Sequence, residues 1–317
     1  MDKVIIITGP TAVGKTKCSL LIAERLKTEI INGDAYQVYK GMNIGTAKPT
    51  KEELFKIKHH LIDYLDPIKN FSVADYQKIV RAKINDFKTN NIIPLIVGGS
   101  GLYLESVICN YTFDGKTRDA NFEEKYLNLS NEELHELLKE LDPVSYLNIH
   151  PNNRKRVLRA LELAMNNEQK GTKKKEMLYD TLVIVLNDDR DALYNRINNR
   201  VDQMIDEGLL DEVKSFYPDK LGLTAKAAIG YKEIFDYFDG KYSLEEAVDK
   251  IKQYSRNYAK RQLTWFRNKE YVTEVLIDVN NFNKTVDEVY SLINDFLKDE
   301  WIFTRLFLFK TLVEQFF

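Results

Sequence analysis

The stretch Gly9-Pro10-Thr11-Ala12-Val13-Gly14-Lys15-Thr16 has the spacing G-x-x-x-x-G-K-[ST]. An apolar, β-branched run, Val4-Ile5-Ile6-Ile7, stands before it, and Lys17 to Leu26 follows with apolar residues at helical spacing. Strand, glycine loop and helix in that order define a phosphate-binding loop. Its glycines let backbone N–H groups wrap a phosphate, and the helix N-terminus adds partial positive charge there. Lys15 would neutralise phosphate oxygens and Thr16 would hold Mg²⁺. A chance match in a chain of this length is on the order of one per cent, so a plain glycine turn in a βα unit is the weaker account. The eight residues therefore imply nucleotide or diphosphate binding, with ATP one option. They do not decide which ligand, or whether a P–O or a C–O bond breaks.

The next segments extend the same pattern. A second strand is expected at Glu29-Ile30-Ile31-Asn32-Gly33-Asp34, a helix over Val73 to Lys88, and a further strand at Ile92-Ile93-Pro94-Leu95-Ile96-Val97, ending in Gly98-Gly99-Ser100-Gly101. Alternating apolar runs and helices predict an α/β fold with a parallel sheet covered on both faces, like that of the P-loop NTPases. Ligands of such sheets sit at the carboxyl ends of the strands. The phosphate loop, Asp34 and the Gly98-Gly99-Ser100-Gly101 turn meet at that edge, which is the expected active site. The later strand ends without the Mg²⁺-binding aspartate of many phosphate-loop nucleotidases, which weakens an ATPase or GTPase reading. Asp34 is either an ordinary Asx turn after a strand or a base that orients an acceptor and takes its proton.

From about residue 114 the chain becomes helical, charged and aromatic, until Thr181-Leu182-Val183-Ile184-Val185-Leu186 returns as a strand. The expected organisation is a core of residues 1–113 and 180–300, a helical insertion of residues 114–179, and an atypical Phe-rich apolar tail of residues 301–317. Asn187 to Phe216 is expected to form a helix pair and Leu244 to Phe266 a helix. Lys173-Lys174-Lys175 is read as a solvated loop. Two local basic clusters stand out: Arg154, Lys155, Arg156 and Arg159, and Arg256, Lys260, Arg261 and Arg267 with Tyr254, Tyr258, Trp265 and Phe266 among them. Such helices either track an RNA backbone and stack on unpaired bases or are solvated faces.

Composition excludes several classes. The 317 residues carry a net charge of -2, 30% charged and 44% hydrophobic residues, so nucleic acid would have to meet a local patch. Two cysteines cannot build a disulfide framework or a zinc site. The four histidines lack metal-ligand spacing, and His59 and His60 read as structural. No membrane span or signal peptide is visible, so a cytoplasmic setting is expected.

Asp34-Ala35-Tyr36-Gln37-Val38-Tyr39-Lys40-Gly41-Met42-Asn43-Ile44-Gly45-Thr46-Ala47-Lys48 resembles a signature of the tRNA dimethylallyltransferases (tRNA isopentenyltransferases). His59 to Asp63, Gly98 to Tyr103, His150 to Asn153, Arg156 to Glu162, Arg196 to Asp202, Ile229 to Glu233 and Ala259 to Phe266 match in order, so the likeness spans roughly residues 3–298. The resemblance implies transfer of a dimethylallyl group from its diphosphate to the exocyclic amine of the adenosine 3′ of the anticodon, in tRNAs reading codons that begin with U. It implies dimethylallyl diphosphate and the anticodon arm as partners; Mg²⁺ at Thr16 is the expected cofactor, and a monomer is expected. It gives catalytic roles to Asp34, Ser100, Lys15 and Thr16, and diphosphate contacts to residues 9–16 with Arg190 and Arg196. It gives tRNA contacts to Asp34, Ala35, Tyr36, Gln37, Ser100, Lys155, Arg156, Val157, Leu158 and Arg159. Ala35 stands where the family usually has serine, and Ser100 where it usually has threonine. A small-molecule kinase using ATP is the competing enzyme reading. A nucleotide-gated RNA-binding switch is a third, which gives Asp34 no task.

Overall fold

The computed structural model describes residues 2–113, 122–166, 168, 171, 173–267 and 269–315, with side chains left out at 173, 175 and from 299 onward. In chain order the first unit contains β1 (Lys3–Thr8), α1 (Lys15–Leu26), β2 (Ile30–Asn32), α2 (Lys51–Lys56), β3 (His59–His60), α3 (Val73–Thr89), β4 (Leu95–Val97) and α4 (Gly101–Ile108). Then come β5 (Cys109–Tyr111), α5 (Asn131–Leu141), α6 (Pro143–Asn148), α7 (Arg154–Met165) and β6 (Lys173–Met177). The remainder is β7 (Asp180–Asn187), α8 (Arg190–Asp206), α9 (Leu209–Phe216), α10 (Leu223–Lys226), α11 (Tyr231–Phe238), α12 (Leu244–Phe266), β8 (Val272–Leu276) and α13 (Phe282–Gln315).

Six strands form one sheet in the order β3-β2-β4-β1-β7-β8. Every pair in it is parallel. A central parallel strand is buried on both faces and has no polar alternation. Accordingly Val4, Ile5, Ile6 and Ile7 of β1 are all fully buried. Cys18 and Ile22 of α1, Ile197 of α8 and Ala259 of α12 pack into the core that contains β1, so Cys18 serves packing. Two capping boxes fix the starts of α3 and α12, at Ser72 with Asp75 and at Ser243 with Glu246.

The sheet positions the site through backbone contact at its carboxyl edge. A side chain at Gly98 would put its Cβ 2.1 Å from the Gly33 carbonyl carbon, so the chains leaving β2 and β4 touch main chain to main chain. Gly33 N–H donates to Val97 O, and Ser100 N–H donates to Gly33 O. That contact sets Asp34 beside Ser100.

The chain divides into two compact units, residues 1–108 with 177–317, and residues 109–176. In the smaller unit β5 pairs with β6, and Leu134, Leu138, Val157, Leu158 and Leu161 form an apolar core. Lys173-Lys174-Lys175 therefore begins a strand, not a solvated loop: pairing with β5 overrides the poor strand propensity of lysine. β3, β5 and β6 are too short or too rich in lysine to signal a strand, whereas β8 has the β-branched content of one in Val272, Thr273 and Val275. His59 and His60 are extended, as adjacent residues of β3; the His60 ring binds Glu29 and the His59 ring binds Ile57 O. The apolar tail continues α13 as helix to Gln315; its side chains and residues 316–317 lie outside the described residues. No described helix is long and apolar enough to cross a membrane.

Candidate active site

The phosphate loop opens β1 into α1. Gly14 holds φ 96°, a left-handed conformation that glycine adopts without strain, and α1 starts at Lys15 with no acidic residue in its first turn. The positive end of that helix is thus free to face an anion. Lys15 Nζ donates to Pro10 O at 2.7 Å, folding the lysine across its own loop. Arg196 Nε, from α8, donates to Ala12 O at 3.1 Å, and its guanidinium pairs with Asp188 at 2.5 Å. Gln262, from α12, joins two walls: its Oε1 accepts from Thr11 N–H at 3.0 Å and its Nε2 donates to Gly99 O at 2.9 Å. Together these residues surround a cavity of about 600 Å³ that includes Gly14, Lys15, Thr16, Asp34, Gly98, Gly99, Arg196 and Arg200.

A second cavity, of about 230 Å³, shares Thr11, Asp34, Thr46, Ala47, Arg200 and Tyr258 with the first. Its remaining wall is largely apolar, with Ile197, Val201, Met204, Leu209, Ala228, Ile229 and Ile251, closed by Tyr36 and Arg261. Asp34 therefore faces a polar, phosphate-sized space on one side and an apolar pocket on the other.

Asp34 is fixed by its neighbours. Its backbone N–H donates to Asn32 Oδ1 at 3.0 Å, and Asn32 Nδ2 donates to Asp34 O and Leu61 O. Its Oδ1 accepts from Tyr36 N–H at 2.8 Å and Gln37 N–H at 3.3 Å. Burial pushes the Asp34 carboxyl above its ordinary range, against the two N–H donors and the positive charges of Lys15 and Arg200. The same burial, with Arg200 nearby, lowers Lys15 to about 8, while Asp34 opposes the fall. A carboxylate raised this way is a better proton acceptor, and a lysine lowered this way is relieved by an incoming anion.

Ser100 Oγ accepts from Ala35 N–H at 3.1 Å. Gln37 spends its side-chain amide on Thr46 O and Ala47 O, both at 3.1 Å. The loop residues, Asp34, Tyr36, Gln37, Ser100 and Arg196 are thus brought together. Arg190 is not: it is exposed at the first position of α8, over the Tyr194 ring. Arg200 lines both cavities instead, one helical turn beyond Arg196. That i, i+4 spacing was the available signal. Tyr258 belongs to the second basic and aromatic cluster and Gln262 to the matching stretch Ala259 to Phe266, but the sequence reading assigns neither to this site.

In the smaller unit, Lys155 and Arg156 are exposed on α7, whereas Val157 and Leu158 are buried in the core. Arg159 is held by Glu162 at 2.6 Å. Arg154 donates to Leu129 O and Tyr126 O, so it staples the unit.

Among the described residues, no group of three or more His, Cys, Asp or Glu side chains is placed to hold a metal ion. A phosphate-bound Mg²⁺ needs no such cluster, since it keeps several waters and takes phosphate oxygens with one or two protein ligands. The half-buried Thr16, on the first turn of α1 and on the wall that holds Lys15 and Asp34, fits that demand.

A family model described as IPP transferase matches residues 37–269. The tRNA dimethylallyltransferase of Bacillus licheniformis is 51% identical over 276 residues, covering 84% of this chain and 88% of its own length. The solved full-length tRNA isopentenylpyrophosphate transferase of Bacillus halodurans has a TM-score of 0.73 at 42% identity, covering 96% of this chain and all of that one. A eukaryotic dimethylallyltransferase solved acting on tRNA has a TM-score of 0.76 at 27% identity, over 94% of this chain and 80% of that one. With a family match over most of its length and a relative half identical over more than four-fifths of it, the chain belongs to the IPP transferase family.

Proposed function

We propose that this protein transfers a dimethylallyl group from dimethylallyl diphosphate to the exocyclic amine of an adenosine 3′ of the anticodon, in tRNAs reading U-starting codons. The observation that carries this reading is Asp34: a raised carboxylate on the wall shared by a phosphate-loop cavity and an apolar pocket. The C–O bond between the allylic carbon and diphosphate breaks as the bond from that carbon to N6 forms. Positive charge grows on carbon and negative charge on the departing oxygen. Loop N–H groups, Lys15, Arg196 and Arg200 stabilise the diphosphate. Mg²⁺, held by Thr16 and the diphosphate oxygens, would supply further neutralising charge to the leaving group. Asp34 hydrogen-bonds the amine and accepts its proton. Ser100 orients the Ala35 end of the Asp34 turn. The target base must leave the loop stack, at a cost of a few kcal/mol, about what an unpaired loop adenosine demands.

The anticodon arm is the partner that fits the exposed Lys155 and Arg156, with Arg159 as a third cation of that turn. Val157 and Leu158 support the turn from the core, and Ala35, Tyr36 and Gln37 face the base. Arg190 is left for a more distant part of the diphosphate approach. The insertion is thus read as the tRNA-binding domain of a cytoplasmic, monomeric enzyme. The kinase reading is not favoured, because no carboxylate follows β4 to hold a nucleotide's Mg²⁺ and the family match points elsewhere.

Incubation with Mg²⁺, unmodified tRNA and either dimethylallyl diphosphate or ATP tests the donor. Dimethylallyl diphosphate is expected to yield one diphosphate per dimethylallyladenosine found by mass spectrometry. Release of ADP that depends on an acceptor would overturn the reading in favour of a kinase.

A further inference from the structure

Glu212, on α9, lines neither cavity beside Asp34, yet four donors converge on its carboxylate. Asn43 and Ile44 donate their N–H groups to Oε2 at 2.9 and 2.8 Å, and Gly45 donates to Oε1 at 3.0 Å. The Tyr231 hydroxyl donates to Oε1 at 2.5 Å. Three consecutive backbone N–H groups make an anion-binding concavity, and here a side chain about 170 residues along the chain fills it. The loop is pressed against the start of α11 as well, since a Cβ on Gly45 would lie 2.5 Å from the Tyr231 ring.

The bland account is a staple for a surface loop. The bonds beyond the staple argue for more. The tethered loop runs directly into Thr46 and Ala47, which line both cavities. Their carbonyls accept the two amide hydrogens of Gln37, and Gln37 N–H donates to Asp34 Oδ1 beside Tyr36 N–H. A continuous path therefore leads from Glu212 through residues 43–47 and Gln37 to the carboxylate of Asp34.

We propose that Glu212 is a positioning residue for proton acceptance by Asp34, fixing residues 43–47 and through them the two N–H donors that aim the carboxylate. The inference rests on the reading of Asp34 as the base. Charged and titratable groups facing Asp34 are Lys15 from α1, Arg200 from α8, Tyr258 from α12, Tyr76 from α3, Tyr103 from α4 and Tyr36 from its own turn. Those facing Glu212 are Tyr231 and Lys48. All of them are retained when Glu212 alone is changed.

Glu212→Gln keeps the size but turns one acceptor into a donor, so part of the N–H set loses its partner. With donor and tRNA saturating, the single-turnover rate is expected to fall about 10-fold or more, as for a misaligned reacting group. The KM values for donor and tRNA are expected to stay within about two-fold, the pattern of an interaction made in the transition state. The acid limb of the rate–pH profile is expected to move to higher pH, because loosened Tyr36 and Gln37 N–H groups no longer favour the ionised carboxylate. If that variant fails to fold, Tyr231→Phe removes one donor from the same carboxylate, with a smaller change in the same direction. A folded Glu212→Gln or Tyr231→Phe enzyme with unchanged rate and acid limb overturns the proposal. So does a raised tRNA KM with unchanged kcat. Absence of transfer by the unaltered enzyme would instead remove the underlying reading.

Discussion

Asp34→Asn lowers the single-turnover rate of transfer by about 10²-fold or more, the scale set by a positioned general base. The substitution is chosen because an amide oxygen still accepts from Tyr36 and Gln37 N–H, so the turn keeps its shape while the base is lost. Affinity for tRNA and donor should change little. In the unaltered enzyme the acid limb lies above the ordinary carboxylate range of about 3.9, because burial outweighs the stabilising donors and cations. The rate rises with pH through that limb and then levels. The stability sign is opposite to that of a salt-bridged carboxylate. A raised folded pKa means that the folded state binds more protons in the window between the unfolded and folded values, so stability falls as pH rises through it. Asp34→Asn should therefore not lower the Tm at neutral pH. A near-normal single-turnover rate in this variant would show that another group takes the proton.

Lys15→Met is expected to weaken dimethylallyl diphosphate binding and to lower turnover by about 10²–10³-fold, as for loss of a transition-state charge stabiliser. It should also remove a pH dependence. Free Lys15 is lowered to about 8, so above that pH the empty site has lost the proton that the diphosphate needs. Terminal phosphates with a second pKa of about 6 are already ionised there, which leaves the lysine as the titrating partner. Donor affinity thus falls as pH rises past about 8 in the unaltered enzyme, with a proton taken up on binding. Calorimetry in buffers of different ionisation enthalpy measures that uptake. A binding curve as steep in pH for Lys15→Met as for the unaltered chain would contradict the assignment. Lys15 spends one N–H on Pro10 O, and its other two donors remain for a phosphate.

The parts of the site carried by local pattern were legible in the sequence. Val4 to Thr16 shows strand, glycine turn and helix in one continuous run, and the ends of β2 and β4 are marked by Gly33 and Gly98, whose backbones touch. The parts made by packing were not legible. Lys173–Met177 is a strand only because β5 pairs with it. Gln262 bonds Thr11 and Gly99 from far along the chain, and no local signal reports such a partner. The arginines show how close a helical reading comes: Arg196 is in the cavity, Arg200 shares its face, and Arg190 is exposed. On α7 the basic stretch divides by helical phase, with Lys155 and Arg156 outside and Val157 and Leu158 inside. The resemblance supplied the reaction, while the residues supplied the phosphate site and the base. Neither pointed to Glu212, three of whose four partners are main-chain N–H groups that no side-chain pattern records.

The central claim is that Asp34 accepts a proton from an exocyclic amine while the phosphate loop receives diphosphate. The most direct measurement uses two anticodon stem-loops that differ only at the target position, one with adenosine and one with guanosine, each given dimethylallyl diphosphate and Mg²⁺. Guanosine offers a carbonyl oxygen where adenosine offers the nucleophilic amine. Nucleoside mass spectrometry is expected to find dimethylallyladenosine, with matching diphosphate release, from the first stem-loop and no transferred group at that position in the second, even where both bind. A dimethylallyl group on the guanosine, or transfer to adenosine undiminished by Asp34→Asn, would contradict the account.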